Sequence, residues 1–273
     1  MNNQVIIIFE MKTKKPTVGI YGISGCAGCL LTVLYEDCFK DLIKLVDVKA
    51  FPLIKEDKYE GDFDYIFIEG TVCFDEDILT LKKLRKRTKN IIALGSCACV
   101  GGVPSMKNFL NKEKTMKFVY PVYNHLKAED PTPIDMHIKV DYYLPQCPPD
   151  KKEIIEFIKC ISTGQEFKGY TDPVCLECKA KGNICLLNEG KLCLGPITNG
   201  GCGAICPSNN VVCYGCRGPL KDANSKAFIN LLKEKGYNTK EIENKISTFA
   251  GLQFKEALEP ESEKEKKSKW LEE

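Results

Sequence analysis

The stretch Thr17-Val-Gly-Ile-Tyr-Gly22-Ile-Ser-Gly-Cys26-Ala-Gly-Cys29 runs from apolar residues straight into a loop of glycine and cysteine. Val18 to Tyr21 predicts a first strand and Cys29 to Leu45 the helix after it, so the loop lies between a strand end and a helix start. The alternation continues downstream. Val46 to Phe51 predicts a second strand, Tyr65 to Ile68 a third that ends at Glu69-Gly70, and Asp75 to Lys86 a helix. Asp75, Glu76 and Asp77 stand at that helix's N-terminus, where the helix dipole favours negative charge. Ile91 to Leu94 predicts a fourth strand and Ile138 to Leu144 a fifth, followed by a helix from Pro149 to Ser162 with Pro149 near its first turn. Strands separated by helices are the pattern of a parallel sheet covered on both faces.

The ends of the third, fourth and fifth strands also lead into cysteine loops. These are Glu69-Gly-Thr-Val-Cys73, Gly95-Ser-Cys97-Ala-Cys99-Val-Gly-Gly102 and Leu144-Pro-Gln-Cys147-Pro-Pro149. In an open parallel sheet the C-terminal strand ends share one edge, which is where ligands sit. The cysteine loops are therefore expected to converge. Beyond Tyr170 the texture changes to glycine, proline and cysteine with little periodicity, which predicts a second domain built around ligands. The expected division is an N-terminal extension over 1–15, an α/β domain over 16–170, a cysteine-rich domain with little regular structure over 171–220, and C-terminal helices with a charged tail over 221–273. Within the last part, Lys221 to Lys235 predicts a helix ended at Gly236. Asn238 and Glu241 form a capping-box pattern that starts a helix presenting Ile242, Ile246 and Phe249. Trp270-Leu271 in the tail is a candidate docking pair.

The 273 residues carry 39 basic and 37 acidic side chains, a balance that gives no reason to expect a nucleic-acid partner. Only three of the basic residues are arginines, Arg85, Arg87 and Arg217. The apolar run Val5 to Phe9 is too short for a signal segment and no arginine pair precedes it, so a cytoplasmic protein is expected. Met11 offers an alternative start. No stretch approaches the roughly 20 apolar residues of a membrane span. Sixteen cysteines in such a chain point to metal rather than disulfides.

Eight of those cysteines lie between Cys175 and Cys216: Cys175, Cys178, Cys185, Cys193, Cys202, Cys206, Cys213 and Cys216. Eight thiolates are the complement of two 4Fe-4S clusters, whereas the flanking CxxC pairs would also suit zinc. Cys206-Pro207 leans toward a cluster, because proline follows a ligand cysteine in bacterial ferredoxin runs. In the first domain Cys26, Cys29, Cys97 and Cys147 come from three separated loops beside glycines that let amides approach cluster sulfurs. A redox dithiol at Cys26 and Cys29 would leave Cys97 and Cys147 unexplained. Cys38 and Cys160 read as buried small apolar groups, while Cys73 and Cys99 are substitute ligand candidates at the edge. Glu69 is a candidate for a proton path, for an interface hydrogen bond, or for a partner to backbone amides. His125 and His137 flank a proline-rich loop and are set aside as ligands, and the lysines from Lys82 to Lys89 read as a solvated face.

Gly25-Cys26-Ala-Gly-Cys29, Glu69-Gly-Thr-Val72, Gly95-Ser-Cys97-Ala98 and Pro145-Gln-Cys147-Pro-Pro149, in this order, resemble the motif set of the nickel-iron hydrogenase small subunit over roughly residues 16–220. The resemblance implies a flavodoxin-like domain whose proximal 4Fe-4S cluster is held by Cys26, Cys29, Cys97 and Cys147, then a domain carrying medial and distal clusters. The related complex I subunit typically has adjacent cysteines in its first motif, whereas Ala27 and Gly28 separate them here. Among hydrogenases, the sequence looks most like the F420-non-reducing, methyl-viologen-reducing small subunit of methanogens. Order and spacing by similarity assign Cys175, Cys178, Cys185 and Cys193 to the distal cluster and Cys202, Cys206, Cys213 and Cys216 to the medial one, with interleaving as the alternative. The implied role is electron transfer. Electrons from H2 oxidation at a nickel-iron centre on a separate large subunit would pass through three 4Fe-4S clusters to an iron-sulfur acceptor near residues 175–193, linked to heterodisulfide reductase. The alternatives are a membrane-associated or complex I-like iron-sulfur subunit and a zinc-stabilised scaffold.

Overall fold

The computed structural model describes residues 14–55, 59–120, 122 and 129–258. The first thirteen residues, His125 and Trp270-Leu271 lie outside these. Five parallel strands form one sheet: β1 (Thr17–Gly22), β2 (Asp47–Ala50), β3 (Phe63–Glu69), β4 (Thr88–Leu94) and β5 (Tyr142–Leu144). Their spatial order is β2-β1-β3-β4-β5, the flavodoxin-like doubly wound order, in which the connections leave β1 and β3 toward opposite faces. The loops after those two strands open a crevice at the sheet edge. A bridge between Ser24 and Thr71 spans it, with the Thr71 amide donating to the Ser24 carbonyl at 2.8 Å.

The expected helix over 29–45 is divided into α1 (Gly28–Val33) and α2 (Glu36–Leu45). Tyr35 is extended at ψ 139, which restarts the helix where Glu36 and Asp37 complement a new N-terminus. α3 (Asp75–Lys86) has the expected bounds. α4 (Gly95–Val100) follows β4, and α5 (Lys112–Val119) precedes β5. β5 is shorter than expected, because the His137 and Ile138 amides both donate back to the Ile134 carbonyl, so that Ile138 closes a turn instead of joining the sheet. α6 (Lys151–Thr163) begins after Asp150, not at Pro149, since the Asp150 carboxylate accepts from the Lys152 amide at 2.7 Å and caps it. The cysteine-rich segment holds two short α-helices, α7 (Val174–Ala180) and α8 (Ile205–Ser208), and a 3-10 turn over Gly195–Ile197. α9 (Ser225–Glu234) starts at an Asn224 cap rather than at Lys221. α10 (Thr239–Ser247) has the expected capping box of Asn238 and Glu241, and α11 (Gly251–Leu258) lies in a stretch not read as a helix.

Strand side chains alternate between two cores, as a period of two requires. Ile20, Phe67, Ile92 and Leu94 face α1, α2 and α6, where they meet Leu30, Leu42, Ile154 and Phe157. Ile66, Ile68, Ile91 and Ala93 face the other way, toward Leu81 of α3, Ala98 of α4 and the C-terminal helices through Phe228, Ile242, Ile246 and Phe254. Cys38 is fully buried in the first core, whereas Cys160 is only half-buried against it. Lys82, Lys83, Lys86 and Lys89 are exposed as expected.

Phe157 is the hub of the first core, touching the rings of Tyr65, Phe67, Tyr142 and Phe167 edge-on at centroid distances of 5.2–6.4 Å. Phe157→Ala is expected to destabilise the subunit by about 3–5 kcal/mol, seen as a lowered unfolding midpoint. At the opposite end of the sheet, Asp64 accepts from the Thr17 amide and hydroxyl, both at 2.9 Å, and from Lys89 at 2.7 Å. Burial pushes its carboxyl up, but these donors outweigh it and hold the pKa below the ordinary value. Such a group stabilises the fold above its unfolded pKa of about 4 and loses that contribution as pH falls through the lower folded value. Asp64→Asn should therefore flatten the acid limb of a stability-against-pH curve below about pH 4.

Candidate cluster sites

At the crevice between β1 and β3, four thiols meet from three loops: Cys26 and Cys29 after β1, Cys97 on α4, and Cys147 after β5. Two glycines make room for them. Gly95 has φ +86, and a Cβ there would run into the Cys29 Sγ; Gly102 has φ +57, and a Cβ would stand 2.8 Å from the Cys97 Sγ. Burial pushes the Cys97 thiol up to about 12, with Cys147, Cys26, Glu69 and Cys73 adding repulsion. Burial pushes Cys29 higher still, with Glu69, Cys97, Cys147 and Cys26 all contributing. Thiols packed this closely with a carboxylate cannot ionise together unless positive charge sits among them, which is what a metal centre supplies. The cradle therefore fits a cluster. Glu69 lies beneath it, 3% exposed, and accepts from the Ala27 and Cys29 amides; burial nonetheless leaves its carboxyl above the ordinary range.

Cys73 and Cys99 differ in where their thiols point. Cys73 is near enough to raise Cys97, and its amide donates to Asp77 Oδ2 at 2.9 Å. Asp77 also accepts from Ser24 Oγ at 2.8 Å, so one carboxylate ties the loop after β1 to the loop after β3. Cys99 is turned into the core, its thiol 3.4 Å from the Ala93 carbonyl, apart from the four-thiol group. His137 bonds Thr132 Oγ1 at 2.8 Å.

The later cysteines line two cavities. One, of about 190 Å³, is walled by Cys202, Cys206, Cys213 and Cys216 together with Cys147, Phe249 and Arg217. The other, of about 50 Å³, is walled by Cys175, Cys178, Cys185 and Cys193. Burial pushes Cys175 up to about 11, with repulsion from Cys193, Cys178 and Cys185 next. The two groups touch where the Cys213 amide donates to the Cys193 Sγ at 3.2 Å. Among the described residues no three His, Cys, Asp or Glu side chains converge on a single metal-ion position. The thiols surround voids. Around them, Asn183 Nδ2 approaches the Cys178 Sγ at 3.6 Å, and Glu177 accepts from the Gly201 amide at 2.8 Å and the Ala204 amide at 3.2 Å.

The residues joining the cysteine-rich segment to the sheet were not evident in the sequence. Ser96 Oγ donates to the Cys216 carbonyl, and the Cys147 amide donates to the Cys216 thiol. Arg217 and Glu153 form a bidentate ion pair at 2.6 and 2.8 Å, with side chains 1% and 2% exposed. Burial would lower the guanidinium pKa, but Glu153 overcomes this and holds it above its ordinary value. The guanidinium also donates to the Gly200 and Pro145 carbonyls and to Gln146 Oε1. Gln146, held at φ +101, is a strained non-glycine residue directly before Cys147. The signal that could have found this pair is scarcity. In a lysine-rich chain all three arginines clamp backbone carbonyls: Arg85 those of Thr88 and Lys89, Arg87 those of Tyr59 and Gly61, and Arg217 those above. That is work for a planar fork rather than an ammonium.

Comparison with known proteins matches this geometry to a family. The chain is 35% identical over 240 residues to sulfhydrogenase 2 subunit delta of Pyrococcus furiosus, covering 85% of this chain and 98% of that one. It is 32% identical to a subunit of the F420-non-reducing hydrogenase vhu of Methanocaldococcus jannaschii, covering 91% and 98%. The chain belongs to the nickel-iron hydrogenase small-subunit family. Residues 26–161 of this hydrogenase subunit match the family described as NADH ubiquinone oxidoreductase, 20 Kd subunit. A further relative, at 30% identity over 72% of this chain and 80% of its own, is the iron-sulfur subunit of the F420-non-reducing hydrogenase of Archaeoglobus profundus. The fold is shared with the actinobacterial-type NiFe-hydrogenase from Ralstonia eutropha H16, at TM-score 0.54 and 14% identity over 85% of this chain and 91% of that one. No helix among the described residues of the hydrogenase subunit is long and apolar enough to cross a membrane.

The tight approach at Gly95 and Gly102 is testable by alanine. Gly95→Ala and Gly102→Ala should each lower the unfolding midpoint, by overpacking of about 1–3 kcal/mol plus left-handed backbone strain. Gly169→Ala, whose Cβ would meet nothing within 4 Å, should leave it unchanged.

Proposed function

We propose that this chain is the electron-transfer subunit of a cytoplasmic hydrogenase. It would take electrons from H2 oxidation at a nickel-iron centre on a separate large subunit and deliver them to an iron-sulfur acceptor linked to heterodisulfide reductase. The single observation that carries this reading is that four thiols meet at the sheet edge and eight more line two cavities, one of which Cys147 also reaches. Three 4Fe-4S clusters bound there would supply reversible one-electron chemistry. Cys26, Cys29, Cys97 and Cys147 would hold the proximal cluster, Cys202, Cys206, Cys213 and Cys216 the medial, and Cys175, Cys178, Cys185 and Cys193 the distal. The division into an α/β domain over 16–170 and a cysteine-rich domain over 171–220 goes with this assignment.

The protein's own part is to hold, shield and hydrogen-bond. The cradle glycines let backbone come close to the thiols, and the amides on the Cys193 and Cys216 sulfurs stabilise negative charge there. Glu69 occupies the amides of Ala27 and Cys29, which fixes the loop that carries both β1 cysteines. At the far end, Leu176 and Ile184 are 53% and 71% exposed beside an exposed Cys185. Apolar groups around the last foursome suit a soluble acceptor docking there. Names of relatives support the hydrogenase reading and, in one case, iron-sulfur content.

Subunit-resolved metal analysis of the anaerobically purified native complex tests the proposal. About twelve irons and about twelve acid-labile sulfides are expected on this chain, with nickel on its larger partner. Cys97→Ser and Cys178→Ser should each remove about four irons. Two or three zincs without sulfide would replace the redox reading with that of a zinc scaffold.

A further inference from the structure

We propose that the buried Arg217–Glu153 pair is a polarised tuning element for the medial foursome. Its cationic end is set against Cys216 and Cys202, and its anionic end is withdrawn onto α6. This rests on the cluster assignment above and adds two positioning residues to it. Arg217 follows Cys216 in the chain and forms part of the wall of the cavity lined by Cys202, Cys206, Cys213 and Cys216, whereas Glu153 does not reach that wall. Both side chains are almost fully removed from water, so their charges are weakly screened. The pair therefore acts as a fixed dipole that points its positive end at the medial sulfurs.

Placement is over-determined on the arginine side. Besides Glu153, the guanidinium is held by the carbonyls of Gly200 and Pro145, by Gln146 Oε1 and by the face of the Tyr170 ring at 5.4 Å. Loss of the carboxylate charge should leave the cation in position. A cluster gains one negative charge on reduction, so nearby positive charge favours its reduced form and raises its potential, net charge being one of the levers on potential. A buried ion pair adds little to stability over an apolar pair of similar volume, so stability alone is a weak reason to place one here.

The two roles, tuning and clamping, separate by sign. In the intact holo-complex, Glu153→Gln removes the negative end and is expected to raise the medial midpoint potential in an EPR-monitored redox titration. The double variant Arg217→Met with Glu153→Met removes both charges while keeping the site filled, and is expected to lower that potential below wild type. Iron and sulfide content and the unfolding midpoint are measured on the same samples. Shifts in opposite directions at full cluster content support the proposal. An unchanged or lowered potential in Glu153→Gln, shifts of the same sign in both variants, or loss of the medial signal in Glu153→Gln would overturn it. Absence of any cluster signal from the wild-type complex would instead remove the underlying reading.

Discussion

Repulsion among thiols that have been taken out of water is the constraint on which the rest of this structure depends. Every foursome contains buried sulfur, and for Cys29, Cys97 and Cys175 the neighbouring thiols add to the burial that resists ionisation. A chain cannot hold such groups together as anions on its own. Their neutral forms pack as small polar-apolar groups, and their charged forms require a positive centre. The sheet edge, the glycine cradles and the two cavities are all consistent with that single requirement.

Joining two structurally unlike regions is the second demand. The α/β part has two extended apolar cores, while the cysteine-rich segment has a small one made of Val174, Leu186, Ala204 and two cysteines. The junction has an apolar part, Leu194 and Ile197 buried in the larger core, and a polar part. Ser96 reaches the Cys216 carbonyl, the Cys147 amide reaches the Cys216 thiol, and Arg217 spans Gly200, Pro145, Gln146 and Glu153. Because hydrogen bonds are directional where apolar contact is not, this junction sets the register of the Cys147 loop against Cys216.

Much of this arrangement could be read from the sequence because its determinants are local. The strand–loop–helix texture placed β1, β3, β4 and α3, and the cysteine loops followed from the parallel arrangement. Asn238 and Glu241 announced α10 because a capping box is complete within four residues. The break at Tyr35 carried no glycine or proline to mark it, so one helix was expected where two form. α9 and α6 were displaced because capping by Asn224 and Asp150 outcompeted starts at Lys221 and Pro149. Arg217 and Glu153 are distant in sequence and meet only through the tertiary fold, so no periodicity could pair them. Cys73 and Cys99 read alike at the strand ends, and only the turn of α4 sends Cys99 into the core.

The small core of the cysteine-rich segment has a consequence for how this molecule is made and lost. Its own core is small and, of its buried apolar residues, only Leu194 and Ile197 extend into the larger one, so under the proposed assignment the order of this segment is coupled to what its cavities bind, as in small metal-dependent domains. Cys193 and Cys213 belong to different cavities yet are tied amide to sulfur, and Pro207 lines both. The two pockets share a wall. Under the proposed assignment, filling or emptying either pocket therefore bears on its neighbour.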